Sequence, residues 1–110
     1  MSEENDNPPQ LSVSLEGGAV PTITLVGDID PATAPQLEAS IDEALEDPAV
    51  TRIVLDLRSV EFIDSSGLRV FVAARESLRA RSGELVLRSP SPTTERLLDI
   101  TGLTEIVEIE

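Results

Sequence analysis

Strands alternating with helices predict an α/β domain: a mixed, largely parallel five-stranded sheet packed with three main helices, in the order ββαβαβαβ. Three observations carry this. Apolar residues alternate with polar ones at Leu11, Val13 and Leu15, the period of a half-buried strand, and a second strand follows at Thr22–Val26. Apolar residues then recur at helical spacing from Ala34 and again from Leu68. Between those helices, Arg52 to Leu57 (RIVLDL) is nearly continuous apolar and β-branched, the pattern of a central strand covered on both faces. Strands joined through helices need crossovers, which are right-handed almost without exception and generate a parallel sheet.

Taken in order, residues 1–9 (MSEENDNPP) are acidic, polar and closed by two prolines, the composition of a disordered tail, which leaves 10–110 as the folded domain. Glu16-Gly17-Gly18-Ala19 reads as the turn of an N-terminal hairpin. Thr33-Ala34-Pro35-Gln36 has the spacing of a capping box, Thr33 reaching forward and Gln36 back. The stripe Ala34, Leu37, Ile41, Ala44, Leu45 runs on until Pro48 stops it. After the central strand, Leu68, Phe71, Ala74 and Leu78 mark the second helix, with Gly83 as its C′ residue. Glu84–Arg88 is the fourth strand. Ser91-Pro92 opens a short third helix with Leu97, Leu98 and Ile100 as its apolar residues and Gly102 at its end. Ile106, Val107 and Ile109 make the last strand.

Composition narrows the chemistry. At 110 residues the chain forms one core without staples, and 40% hydrophobic residues argue for a folded protein. An apolar run of membrane-spanning length is missing, as is a signal-peptide pattern, so a cytoplasmic protein is expected. With neither Cys nor His, disulfides, thiolate chemistry, zinc-thiolate sites and a Ser-His-Asp triad are excluded. All eight cations are Arg, so lysine-based mechanisms are excluded too. No cofactor is expected. The net charge of −13 disfavours nucleic acid and anionic membrane as direct partners. Residues 1–50 carry eleven acids and no base (−11), whereas residues 51–110 carry ten acids and eight Arg (−2). Arg69, Arg75, Arg79 and Arg81 form either a solvated helix face or one pole of a dipolar surface that steers a protein partner.

The stretch VEFIDSSGLRVFVAA, Val60 to Ala74, holds the candidate chemistry: a strand end, then Asp64-Ser65-Ser66-Gly67, then a helix. Serines at such a boundary cap the helix by accepting bonds from its free N–H groups. The same position also suits a phosphate, since a helix N-terminus is partially positive. The residues alone leave both roles open. Gly67 lets another surface approach the backbone closely. Sites on parallel sheets favour loops at strand C-terminal ends. The loops Gly27–Pro31, Arg58–Ser66 and Arg88–Pro92 would meet there, bringing Asp28, Asp30, Asp64 and Ser65 onto one surface. Asp56 reads as a satisfied buried carboxylate or a strand-end residue near the serine loop. An enzyme using Asp30 and Asp64 as an acid/base pair is disfavoured, because neither a phosphate loop nor a metal-ligand cluster accompanies them.

With GDIDPATAPQLEASI, RIVLDLRSVEFIDSSGLRVF and GELVLRSPSPTTERLLDITGL in order, residues 10–109 resemble the STAS domain of bacterial anti-sigma factor antagonists. The resemblance implies a binding protein, not an enzyme. Its unmodified form would bind an anti-sigma factor, itself a serine kinase of the histidine-kinase-like ATPase class, and so free sigma. Phosphorylation would switch it off, and a PP2C-type phosphatase would restore it. By this resemblance Ser65 is the phosphorylated serine, Asp30 the important aspartate beside it, and Ser66 and Gly67 complete the motif. Asp28, Asp30, Asp64, Ser65, Ser66, Gly67 and Arg69 are the expected partner-binding residues, and a monomer is the expected state. Arg69 and Asp56 depart from residues common in the family and bear on kinase choice. An accessory or scaffold subunit of a transporter or signalling assembly is the alternative role for the same fold.

Overall fold

A computed structural model describes residues 11–110; the expected tail, residues 1–9, lies outside the described residues. The elements are β1 (Ser12–Glu16), β2 (Thr22–Val26), α1 (Ala34–Ala44), β3 (Arg52–Ser59), α2 (Ser65–Arg79), β4 (Glu84–Arg88), α3 (Pro92–Thr101) and β5 (Glu108–Ile109). The sheet order is β1-β2-β3-β4-β5. β1 pairs antiparallel with β2 through the predicted hairpin, and every later neighbour is parallel. The expected architecture is therefore present. Because every crossover steps in one direction, right-handedness sets α1 and α2 side by side over one face.

One apolar cluster joins that face to the helices. Ile23, Leu25, Ile53, Leu55, Leu57, Leu85 and Leu87 meet Leu37, Ile41, Phe71, Leu78 and Leu98, all buried. These are the alternate residues of each strand and the apolar stripes of each helix, so the periodicities of the sequence become the two halves of one core. The opposite face differs. Val54 and Val86 pair in register there and are buried, as the continuous run of β3 implies. Around them lie charges: Arg52 bridges Glu84 and Glu108, and Arg88 binds Glu110 at 2.6 Å. The Glu110 hydrogen bond raises the Arg88 pKa, burial opposing it. Asp56 resolves as a half-buried residue whose Oδ1 accepts from the Arg58 amide at 3.1 Å. That bond lies at the bulge where β3 gains one residue on β2.

Several boundaries differ from expectation for identifiable reasons. The capping box at Thr33 does not form: Thr33 makes no side-chain cap, and Gln36 Nε2 donates instead to the Leu11 carbonyl at 2.9 Å. Helix α1 ends at Ala44, ahead of Pro48, and Arg81 takes up the carbonyls beyond it. Its guanidinium donates to Leu45 O, Asp47 O and Val50 O at 2.6–3.0 Å, so Arg81 is a structural clamp, not part of a solvated helix face. Past α2 the positive φ falls on Ser82, at 60°, instead of on Gly83. Gly83 is required for another reason, since a Cβ there would lie 1.8 Å from the Thr51 carbonyl oxygen. Helix α3 does start at the Ser91 cap and end at Gly102, φ 80°, but Ile100 is 72% exposed and buried Thr94 takes its place. Ile106 follows a 3-10 turn, Leu103–Glu105, so β5 is shorter than the sequence suggests.

Candidate functional site

β2 and β3 continue past their ladder into one further parallel bridge, Ile29 to Ile63. The Ile29 amide donates to Phe62 O at 2.9 Å and the Asp64 amide to Ile29 O at 3.2 Å. These bonds lock the Gly27–Pro31 loop to the loop before α2, so Asp28 and Asp30 are fixed beside Asp64 and Ser65, as the topology suggested. Gly27 makes the turn into this loop with φ 124°, a conformation that favours glycine.

Within the first loop Asp30 is an Asx turn. Its Oδ1 accepts from the Ala32 and Thr33 amides at 2.9 and 3.0 Å, while its own amide donates to Thr33 Oγ1 at 3.0 Å. Thr33 Oγ1 in turn donates to the Asp28 carbonyl at 2.8 Å. Asp30 thus takes the Thr33 amide that Gln36 was expected to reach, and buried Thr33 holds the loop from beneath. Asp28 is exposed and Asp30 half-buried. Thr33 was not singled out in the sequence as a site residue; the Asp-x-x-Thr spacing was the available signal.

In the second loop the cap is Asp64, not a serine. Its backbone is extended (φ −117°, ψ −168°) and its Oδ1 accepts from the Ser66 amide at 2.8 Å. A carboxylate at this position also complements the helix dipole. Ser65 is then the first helical residue, exposed, with no hydrogen bond from its hydroxyl to another described residue. Ser66 is half-buried. Gly67 is buried: a Cβ on it would meet Ile63 Cγ1 at 2.6 Å and Ile29 Cγ2 at 2.7 Å. The close approach expected of Gly67 is thus made by the site's own loops, and Gly67 supports the surface from below.

An open groove of about 480 Å³ runs between α1 and α2, lined by Ser66, Arg69, Val70 and Ala73 of α2 and by Ala34, Pro35 and Glu38 of α1; Ser65 itself does not line it. Phe62, three residues before Ser65, is 52% exposed. Neither the groove nor Phe62 was anticipated, because each depends on how α1 and the loops pack. A free hydroxyl, flanking carboxylates and an apolar groove suit covalent marking and protein contact. Among the described residues no group of three or more Asp or Glu is placed to hold a metal, and no helix is long and apolar enough to cross a membrane.

Fold and site together define an α/β domain with a mixed sheet that presents, on the first turn of α2, a serine without a side-chain partner among the described residues. The STAS domain family model matches residues 14–110, and the chain belongs to that family. An anti-sigma-B factor antagonist of Listeria monocytogenes is 44% identical over 89 residues, covering 80% of this chain and 76% of that protein. Among solved structures, the anti-sigma factor antagonist SpoIIAA in its unphosphorylated form has a TM-score of 0.74 at 27% identity, covering 90% of this chain and 87% of that one. The Bacillus cell fate determinant SpoIIAA in its phosphorylated form has a TM-score of 0.72 at 29% identity, with 90% and 91% covered.

Proposed function

We propose that this protein is an anti-sigma factor antagonist switched by phosphorylation of Ser65. Unmodified, it binds an anti-sigma factor that is also a serine kinase and so releases sigma; phosphorylated at Ser65, it lets go, and a PP2C-type phosphatase resets it. The observation that carries this reading is the exposed Ser65 hydroxyl, free because Asp64 has taken over the cap. Its relatives bear antagonist names, and SpoIIAA is known in both phosphorylation states.

The physics supports release without unfolding. A phosphate adds about −1.5 to −2 charges beside Asp28, Asp30 and Asp64. A partner closing over the loops would desolvate those charges together, and an uncompensated buried charge is costly. This reading places the protein in the cytoplasm as a monomer that acts by contact, not catalysis. The test is intact mass and peptide mapping after incubation with each candidate anti-sigma kinase and ATP, followed by titration of both forms against that kinase. One phosphate on Ser65 and weakened binding are expected, with Ser65→Ala unmodified and binding constitutively. A phosphate mapped to Ser66, or equal affinity of the two forms, would overturn the assignment. Absence of any kinase interaction would favour a scaffold or transporter-accessory role.

A further inference from the structure

Arg69 stands one helical turn after Ser65. Residues four apart on a helix are neighbours, with Cβ atoms about 5–6 Å apart. Helical side chains lean toward the N-terminus, so Arg69 leans back toward Ser65. Arg52 and Arg88 are committed to Glu84, Glu108 and Glu110, Arg75 pairs with Glu76, and Arg81 is spent on three carbonyls. Arg58, Arg69, Arg79 and Arg96 are exposed and make no ion pair or side-chain hydrogen bond with another described residue, and of these only Arg69 lies within one turn of Ser65 on α2. It lines the α1–α2 groove, where Glu38 of α1 is the nearest competing anion among the lining residues.

We propose that Arg69 receives the phosphate of Ser65, and that phosphorylation thereby draws its guanidinium out of the α1–α2 groove. A guanidinium meets phosphate with two parallel hydrogen bonds, a geometry a carboxylate across an open groove does not match as strongly. The other charged groups at this end are Asp28 and Asp30 of the first loop, Asp64 at the cap, Glu61 before it and Arg58 at the end of β3. One oxygen each of Asp30 and Asp64 is already bound to backbone amides. The carboxylates raise the demand for a cation once the phosphate is present, and Arg69 shares its helix face. In the modified protein the groove keeps Glu38 and its apolar floor but loses its cation, so one covalent event changes both the loop surface and the groove.

This inference rests on Ser65 being the modified residue, and the test separates the two. Phosphoserine is installed at position 65 by genetic encoding, without a kinase, in the full chain and in Arg69→Gln and Arg69→Lys backgrounds. The phosphate is then titrated by phosphorus NMR. A neighbouring cation favours the dianion, so the second ionisation, near 6 for an ordinary phosphoserine, should fall about 0.2–0.4 pH unit lower with Arg69 than with Arg69→Gln. Arg69→Lys should keep most of the shift, and the gap should narrow in salt of about 1 M. The Arg69 Nε resonance should move on phosphorylation. Identical titrations for wild type and Arg69→Gln, or an unmoved Arg69 Nε resonance, would overturn the pairing. A kinase that leaves Ser65 untouched would sink the proposed function while leaving this result standing.

Discussion

Gly67→Ala probes the point on which the site's geometry turns. Gly67 is the third residue of α2, and a Cβ there would stand 2.6 and 2.8 Å from Ile63 Cγ1 and Cδ1 and 2.7 Å from Ile29 Cγ2. Carbon atoms in good contact sit about 3.5–4.0 Å apart, so each contact is short by roughly 1 Å. Neither isoleucine can easily swing aside, since both are buried and β-branched chains are stiff at χ1. Overpacking of this kind costs about 1–3 kcal/mol, and three simultaneous short contacts belong at the upper end. Replacing a helical glycine returns about 1 kcal/mol. The net loss is about 2 kcal/mol, a fall in Tm of roughly 8–16 °C for a domain near this size. Urea titration should show a lower midpoint at unchanged slope. Because Ile29 and Ile63 also form the bridge between the two loops, binding to the proposed anti-sigma partner should weaken even well below the new Tm. A Gly67→Ala protein as stable as wild type would show that the helix is not seated against these side chains and would remove the reason for its placement.

Asp64→Ala should destabilise by about 0.5–2 kcal/mol through loss of the cap, whereas Ser65→Ala should stay within about 0.5 kcal/mol; the reverse order in thermal melts would return the cap to the serine. Asp30→Asn should fold normally, because an amide oxygen can still accept from the Ala32 and Thr33 amides, yet weaken anti-sigma binding or phosphorylation. Unchanged calorimetric affinity with faster phosphorylation would show that Asp30 acts mainly by repelling the phosphate. Arg81→Ala should lose about 1.5–3 kcal/mol, since three charge-assisted bonds to carbonyls disappear; a loss under 0.5 kcal/mol by urea unfolding would contradict the clamp, on the usual scale of surface substitutions.

Element order and strand pairing were legible because one apolar core forces both periods to agree: Ile23, Ile53 and Leu85 alternate in strands while Leu37, Phe71 and Leu78 recur in helices. The motif Asp64–Gly67 was legible for the same reason, lying where one period gives way to the other. Which polar groups would hold the starts of α1 and α2 was not. Thr33 and Asp30 both have cap chemistry, as do Asp64 and Ser65, and the choice is made by backbone angles that the Ile29–Ile63 bridge imposes. Arg81 and Gly83 escaped for a similar reason. Their partners, Leu45, Val50 and Thr51, come from a different segment of the chain, and no local pattern reports them.

The division of labour around Ser65 bears on where the free energy of the proposed switch resides. Asp64 holds the start of α2, Gly67 seats the helix, and the Ile29–Ile63 bridge joins the loops, none of them through the Ser65 hydroxyl. A group attached there therefore loosens nothing the domain depends on. A tenfold change in affinity needs only about 1.4 kcal/mol. Leaving a charge buried and uncompensated at an interface costs about 3–5 kcal/mol, enough for a change of about a hundredfold or more. One phosphate on that serine would thus suffice for release, and Arg69, one turn further along the same helix, would set how much of the penalty it imposes.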